Sequence, residues 1–204
     1  MPEETVKRRR APAMSTEDRR QAIIDATVPL LFEHGAKVTT SQIARASGIA
    51  EGTVFRAFKD KQELIKACVR AALGVEDELG RLRQARLVPT LHARLALGIA
   101  AVADYLDRMW RLMGALGESG YDAGADRRHD DGPPKEMLRI SAHLAALFEP
   151  DADALRVDPE LAARLLLGLV FTNRMRGAGF GDTAADGDGL VDVFLHGVLR
   201  GAER

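Results

Sequence analysis

The chain has 204 residues, 46% hydrophobic and only 5% aromatic, with one cysteine and a formal net charge of −1. A single cysteine excludes an internal disulfide and fits a reducing cytosol. The longest uncharged stretches, 95–103 and 165–173, are about half the roughly 20 residues that a membrane span needs. The near-neutral total hides an asymmetry: residues 1–70 carry 13 Lys+Arg against 9 Asp+Glu (+4), and residues 71–204 carry 16 against 21 (−5). A basic front and an acidic rear suit a nucleic-acid module joined to a part that does not touch DNA.

Taken in order, residues 1–14 are charged and rich in Pro and Ala, and read as a disordered basic tail. Lys7, Arg8, Arg9 and Arg10 are not followed by an apolar run, so the tail is not expected to be a secretory signal. A first helix starts at Ser15, with a cap and an acidic residue three positions on. It runs past an interior Pro29, with a kink, to His34, and Gly35 takes the post-helix position. Further helices are expected over about 40–46, 51–57, 60–80, 89–116, 133–148, 158–176 and 190–201. Asp60 and the Asp158–Pro159 pair supply start signals. No run of β-branched residues suggests a strand. The fold class is therefore all-α, with about nine helices: an N-terminal three-helix unit over 15–62 and a larger helical domain over 63–204.

Residues 39–61 carry the chemistry. Apolar Ile43, Ala44, Ile49, Val54 and Phe58 are spaced to let two short helices cross at Ser47-Gly48, and the residues between them suit phosphate and base edges. That pattern is a helix-turn-helix, whose partner is double-stranded DNA. Thr40, Ser41 and Gln42 open the second helix near the groove edge. Gln42 suits adenine and Arg45 suits guanine by paired hydrogen bonds. Gly52 and Thr53 open the third helix, where backbone amides favour a phosphate. Glu51 either complements the helix dipole or accepts from a cytosine amino group. Residues 7–10 either enter a minor groove or stay solvated. One half-site per chain implies a homodimer on a near-palindromic operator.

From about Arg19 to Leu64 the sequence resembles the tetracycline-repressor (TetR) family of transcriptional regulators. The residues that carry the likeness are Ile23-Ile24, Ala26, Leu31-Phe32, Gly35, Thr39-Thr40, Ile43-Ala44, Ala46, Gly48-Ile49, Gly52-Thr53-Val54-Phe55, Phe58, Lys61 and Leu64. The resemblance implies that Thr53 contacts phosphate or base and that Lys61 clamps the DNA backbone. Three residues depart from the family pattern. Ala50 stands where a capping Ser is common. Phe55 replaces Tyr, keeping its packing but losing a hydroxyl. Ala57 replaces a polar residue, which removes a contact that Arg56 offsets with charge. Beyond Leu64 the likeness is only one of length and helical content.

The resemblance further implies a small-molecule effector and a dimer formed by the last two long helices. Leu106, Met109, Trp110, Met113, Met137, Leu144, Phe148, Phe171, Asn173 and Met175 are the candidate effector residues; Met and Trp suit an adaptable apolar pocket, and the same spacing also describes ordinary core. Ala163, Leu165, Gly168, Leu169, Phe194, Leu195 and Val198 are the candidate dimer residues. Asp182, Asp186, Asp188 and Asp192 lack the acidic twelfth position of a calcium loop. The Gly-rich 177–181 follows a helix rather than a strand, and the histidines lack zinc spacing. No catalytic residue, metal or cofactor is expected. Cys68 is either an inert buried thiol or a redox sensor. The expectation is a cytoplasmic homodimeric repressor released by an apolar or amphipathic effector. Its alternatives are an effector-independent regulator or activator, and a helical ligand-binding protein or enzyme with a vestigial helix-turn-helix.

Overall fold

The computed structural model describes residues 15–121, 134–175 and 186–198. The expected basic tail, most of the loop after residue 117 and the loop after Met175 therefore lie outside the described residues. The described elements are helices: α1 (Thr16–His34), a 3₁₀ turn (Gly35–Lys37), α2 (Thr40–Ser47), α3 (Glu51–Ala57), α4 (Lys61–Ala72), α5 (Glu76–Ala85), α6 (Leu91–Glu118), α7 (Lys135–Phe148), α8 (Pro159–Arg174) and α9 (Gly187–Val198).

Local chemistry sets most of the boundaries. The Ser15 hydroxyl accepts from the Asp18 amide at 3.0 Å and starts α1, which is continuous through Pro29. Pro29 is exposed, so water reaches the carbonyl that the missing amide leaves unpaired. In α2 the Thr39 hydroxyl and the Gln42 side chain cap each other's backbone amides. The helix ends on Gly48 at φ 66°, with the Ile49 amide reaching back to the Ala44 carbonyl at 3.0 Å, a left-handed closure suited to glycine. Asp60 and Asp158 cap α4 and α8 through the amides of Glu63 (2.8 Å) and Leu161 (2.7 Å).

One expected helix is in fact two. The 60–80 segment breaks at Leu73-Gly74, and α5 restarts at Glu76. The break is held from a distance: Arg108 of α6 donates to the Ala72 carbonyl at 2.9 Å and the Gly74 carbonyl at 3.0 Å. It also pairs with the buried Glu78 at 2.8 Å. The carbonyls that a helix end leaves unpaired thus find a donor more than 30 residues away. Arg94, itself buried, works the same way, donating to the Leu147, Val88 and Pro89 carbonyls at 2.9–3.0 Å and to Asp151.

Two hydrophobic clusters result. The first gathers Ile23, Leu31, Val38, Ile43, Val54, Phe58, Leu64, Ile65 and Cys68 from α1–α4, and takes in Leu112 and Leu116 from the far end of α6. The second gathers Leu79, Leu82, Leu95, Ile99, Leu106, Ile140, Leu144, Phe148, Leu166, Val170 and Val191. The head's core therefore runs past residue 62, the expected boundary, to include α4 and the last turns of α6. The α6 helix, 28 residues long, belongs to both cores.

Candidate nucleic-acid interface

On α3, Val54 and Ala57 turn inward, and Phe58 closes the helix as a buried C-cap. Helical geometry then puts Glu51, Gly52, Phe55 and Arg56 on the outer face, and all four are exposed. On α2, Ser41 and Arg45, four residues apart, are also exposed, whereas Thr40, Gln42, Thr53 and Lys61 are half-buried. An outer face with two arginines on paired short helices matches phosphate and base-edge contact in a major groove.

Five expected roles meet competing bonds or a different setting. The Gln42 side-chain oxygen already accepts from the Thr39 amide at 2.7 Å and the Thr39 hydroxyl at 2.9 Å. Paired recognition of adenine needs that oxygen as an acceptor, so the capping box competes with base reading. The Lys61 ammonium donates to the Ala36 carbonyl at 2.8 Å, bracing the turn before α2. The Thr53 amide donates to the Ala50 carbonyl at 2.8 Å, so the first turn of α3 already uses a donor assigned to phosphate. Phe55 does not keep the packing of an aromatic core residue: half of it is exposed (50%). Ala57 is buried, so a small residue there also serves the core.

Arg20, which no local pattern singles out, ties the end of α3 to its neighbours. It donates to the Ala57 carbonyl, pairs with Glu63 at 2.8 Å and lies 4.2 Å over the Phe58 ring. Glu63 in turn accepts from the Lys59 amide at 2.7 Å. One guanidinium thus closes the end of α3 and fixes its angle to α1 and α4. The Arg20 hydrogen bond, followed by the one from Lys59, holds the Glu63 carboxyl below its ordinary pKa. Nothing near Arg20 in sequence announces this, because Glu63 lies 43 positions away.

The head meets α6 at one tight contact. Gly35 has φ 54°, and a Cβ there would stand 2.1 Å from the Ala115 carbonyl oxygen. Beside it, the Ser119 hydroxyl accepts from the Ala36 amide at 2.9 Å and donates to the Leu116 carbonyl at 2.6 Å. Ala36 is therefore held on its amide side by α6 and on its carbonyl side by Lys61 of α4.

A cleft of about 1020 Å³ opens along the second half of α6 and the end of α8. Trp110, Met113 and Met175, all expected effector residues, line it. Phe171 stands against Trp110 with ring centroids 5.6 Å apart. Leu106, Leu144 and Phe148 do not line it: they are fully buried core. Met109 and Met137 are half-buried and pack on the same core, and Asn173 is half-buried outside the lining. The remaining walls are charged: Asp104, Asp107, Arg108, Arg111 and Arg174. Asp107 pairs with Arg174 at 3.1 Å, and Asp104 with Arg81 at 2.6 Å. The 104, 107, 108, 111 spacing puts four of these on one helical face, a signal that a search for apolar residues passes over.

Of the expected dimer residues, Ala163 and Phe194 are buried in their own chain's core and are not available to a partner. Leu169 and Leu195 are half-buried against that core. Leu165 and Gly168 are exposed on α8, and Val193 of α9, not anticipated, is exposed by 68%. The Val198 side chain lies outside the described residues.

Fold and surface together define a helix-turn-helix DNA-binding protein with a second helical domain that carries a cleft. Residues 23–68 match the pattern of bacterial regulatory proteins of the tetR family. The chain is 31% identical to the HTH-type transcriptional regulator BetI of Serratia proteamaculans, across 82% of this chain and 86% of that one. It superimposes on a TetR-family regulator structure from Mesorhizobium loti with a TM-score of 0.64, at 20% identity, covering 91% of this chain and 98% of the other. It also resembles a complex of SmeT with triclosan, with a TM-score of 0.59, 23% identity and coverage of 89% and 92%; SmeT is the repressor of a multidrug efflux pump in Stenotrophomonas maltophilia. This chain belongs to the TetR family: it is a transcriptional regulator and not an enzyme. No helix among the described residues is long and apolar enough to cross a membrane.

Proposed function

We propose that this protein is a homodimeric repressor that leaves a near-palindromic operator when a small amphipathic molecule fills the cleft on α6. The observation that carries the reading is the double membership of α6. Trp110, Met113 and Gly114 line the cleft, while Leu112 and Leu116 sit in the head's core. Ala115 and Ser119 bear on the turn that leads into α2. A ligand that shifts this part of α6 shifts the support of the recognition helices with it. Binding of ligand and of DNA then weaken each other by the same factor. The cleft's aromatic and thioether wall suits the apolar part of such a ligand, and its arginines and aspartates suit a polar head. Exposed Leu165, Gly168 and Val193 offer α8 and α9 as the dimer face. The outer residues Ser41, Arg45, Glu51, Gly52, Phe55 and Arg56 form the DNA face.

The test is to select bound duplexes from a random pool with the purified full chain, then to screen amphipathic small molecules for release. A dimer that shifts a near-palindrome, loses affinity steeply with salt and is released by some compound supports the reading. A monomer with no sequence preference overturns it. A dimer that keeps its DNA against every compound is an effector-independent regulator instead.

A further inference from the structure

Phe55 is the exposed aromatic on the outer face of α3, 50% accessible, and the chain's own packing does not explain it. The inward face of that helix is complete with Val54, Ala57 and the capping Phe58. One turn earlier, Gly52 has open space where a Cβ would stand, with nothing within 4 Å, and its φ is not positive. Glycine is therefore not required there by the fold, although it weakens a helix by roughly 1 kcal/mol relative to alanine. Beside the exposed ring the helix surface drops to bare backbone, and Arg56 of α3 and Arg45 of α2 are exposed as well. Exposed arginines on the paired helices suit a polyanion, and the exposed ring suits an apolar group on that polyanion.

We infer that Phe55 reads the C5 methyl group of a thymine in the major groove, one per half-site, and so sets sequence preference at that position. This rests on the operator-binding reading above. The chemistry leaves little choice. A phenyl ring has no hydrogen-bonding group, so it cannot distinguish the donor and acceptor patterns of base edges. The apolar feature those edges present in the major groove is the thymine methyl. A tyrosine hydroxyl at this site would allow a phosphate contact; phenylalanine removes it and leaves only the apolar interaction.

The experiment uses the full chain and its selected duplex, with single thymines replaced by deoxyuridine. That change deletes the methyl and leaves base pairing intact. The expected result is one thymine in each half-site where the replacement weakens wild-type binding, by about fourfold per half-site for one buried methyl. Deoxyuridine elsewhere should be neutral. Phe55→Ala should bind the thymine and deoxyuridine duplexes equally, and Phe55→Tyr should keep the preference. Because the methyl is removed from the DNA, the wild-type result does not depend on any variant folding. Indifference to every deoxyuridine, or a preference that persists in Phe55→Ala, overturns the inference while leaving the operator-binding reading intact. A chain that selects no sequence at all overturns both.

Discussion

The DNA-binding head and the cleft-bearing domain are held together in different ways. In the head, short-range caps close the helix ends: Ser15 on α1, Thr39 with Gln42 on α2, Gly48 after α2, and Asp60 on α4. Arg20 is the main long-range tie. The second domain has local caps too, Thr90 on α6 and Asp158 on α8, but it adds arginines that reach distant helix ends, Arg108 of α6 at the α4–α5 break and Arg94 at the end of α7. The cleft is framed by ion pairs such as Asp107–Arg174 at 3.1 Å. A unit closed by local caps keeps its geometry largely independent of its neighbours. A unit closed by cross-helix charges changes shape when those charges are re-paired. That suits the proposed division into a stiff reader and a responsive sensor, with the end of α6 as the joint.

The largest expected effect comes from the joint. Gly35→Ala places a Cβ 2.1 Å from the Ala115 carbonyl at a positive φ, so α6 must lift off the head. A loss of about 3 kcal/mol or more in urea unfolding is expected, combining backbone strain with overpacking. A loss below about 1 kcal/mol would mean that the two regions are less firmly joined than the contact implies.

Next is Arg20→Ala, which removes the guanidinium from Ala57, Glu63 and Phe58 together. An expected loss of about 2 kcal/mol should fall on the head. Hydrogen exchange should speed up at residues 51–63 while the second core stays protected. Uniform acceleration across both cores would erase the distinction between locally closed head and distant sensor. The same pair has a pH signature. Because Glu63 is held below its ordinary pKa of 4.5, chiefly by the Arg20 hydrogen bond, its contribution is fully present above that value. It is lost as pH falls through the lowered one. Wild type and Arg20→Ala should therefore converge in stability on acidification; a gap that widens instead would contradict the pairing.

Ser119→Ala is expected to cost only about 1 kcal/mol of stability, yet to blunt communication between the regions. Operator affinity without ligand should change little, and the ratio of affinities with and without a releasing compound should shrink. An unchanged ratio would remove Ser119 from the coupling. The smallest effect concerns Cys68, fully buried, whose thiol is pushed up to about 12 by burial. Iodoacetamide at neutral pH should leave the folded chain unmodified and react only after denaturation; rapid labelling would reopen the redox reading.

Much of the head was legible because its signals are local. A capping residue, a left-handed glycine and an apolar spacing act within four or five positions, and α3 falls over the expected residues 51–57. Ambiguity arises where one side chain suits two roles. Gln42 satisfies both a capping box and an adenine edge, and Lys61 both a phosphate and a carbonyl; only the three-dimensional neighbours show which partner is within reach. In the second domain, periodicity showed which residues turn inward but not whether the interior is packed or hollow. Leu106 and Phe148 therefore read as pocket and proved to be core.

What the sequence by itself determined is the all-helical fold, the helix-turn-helix and the family, since each depends on residue type at short spacing. The tertiary structure decided where α4 stops and that α6 is shared by two cores. It also decided that a charged cleft lies beside Trp110 and that Phe55 faces outward. Each of these rests on a contact between residues tens of positions apart, or on the lack of one, and short-range pattern does not encode such contacts.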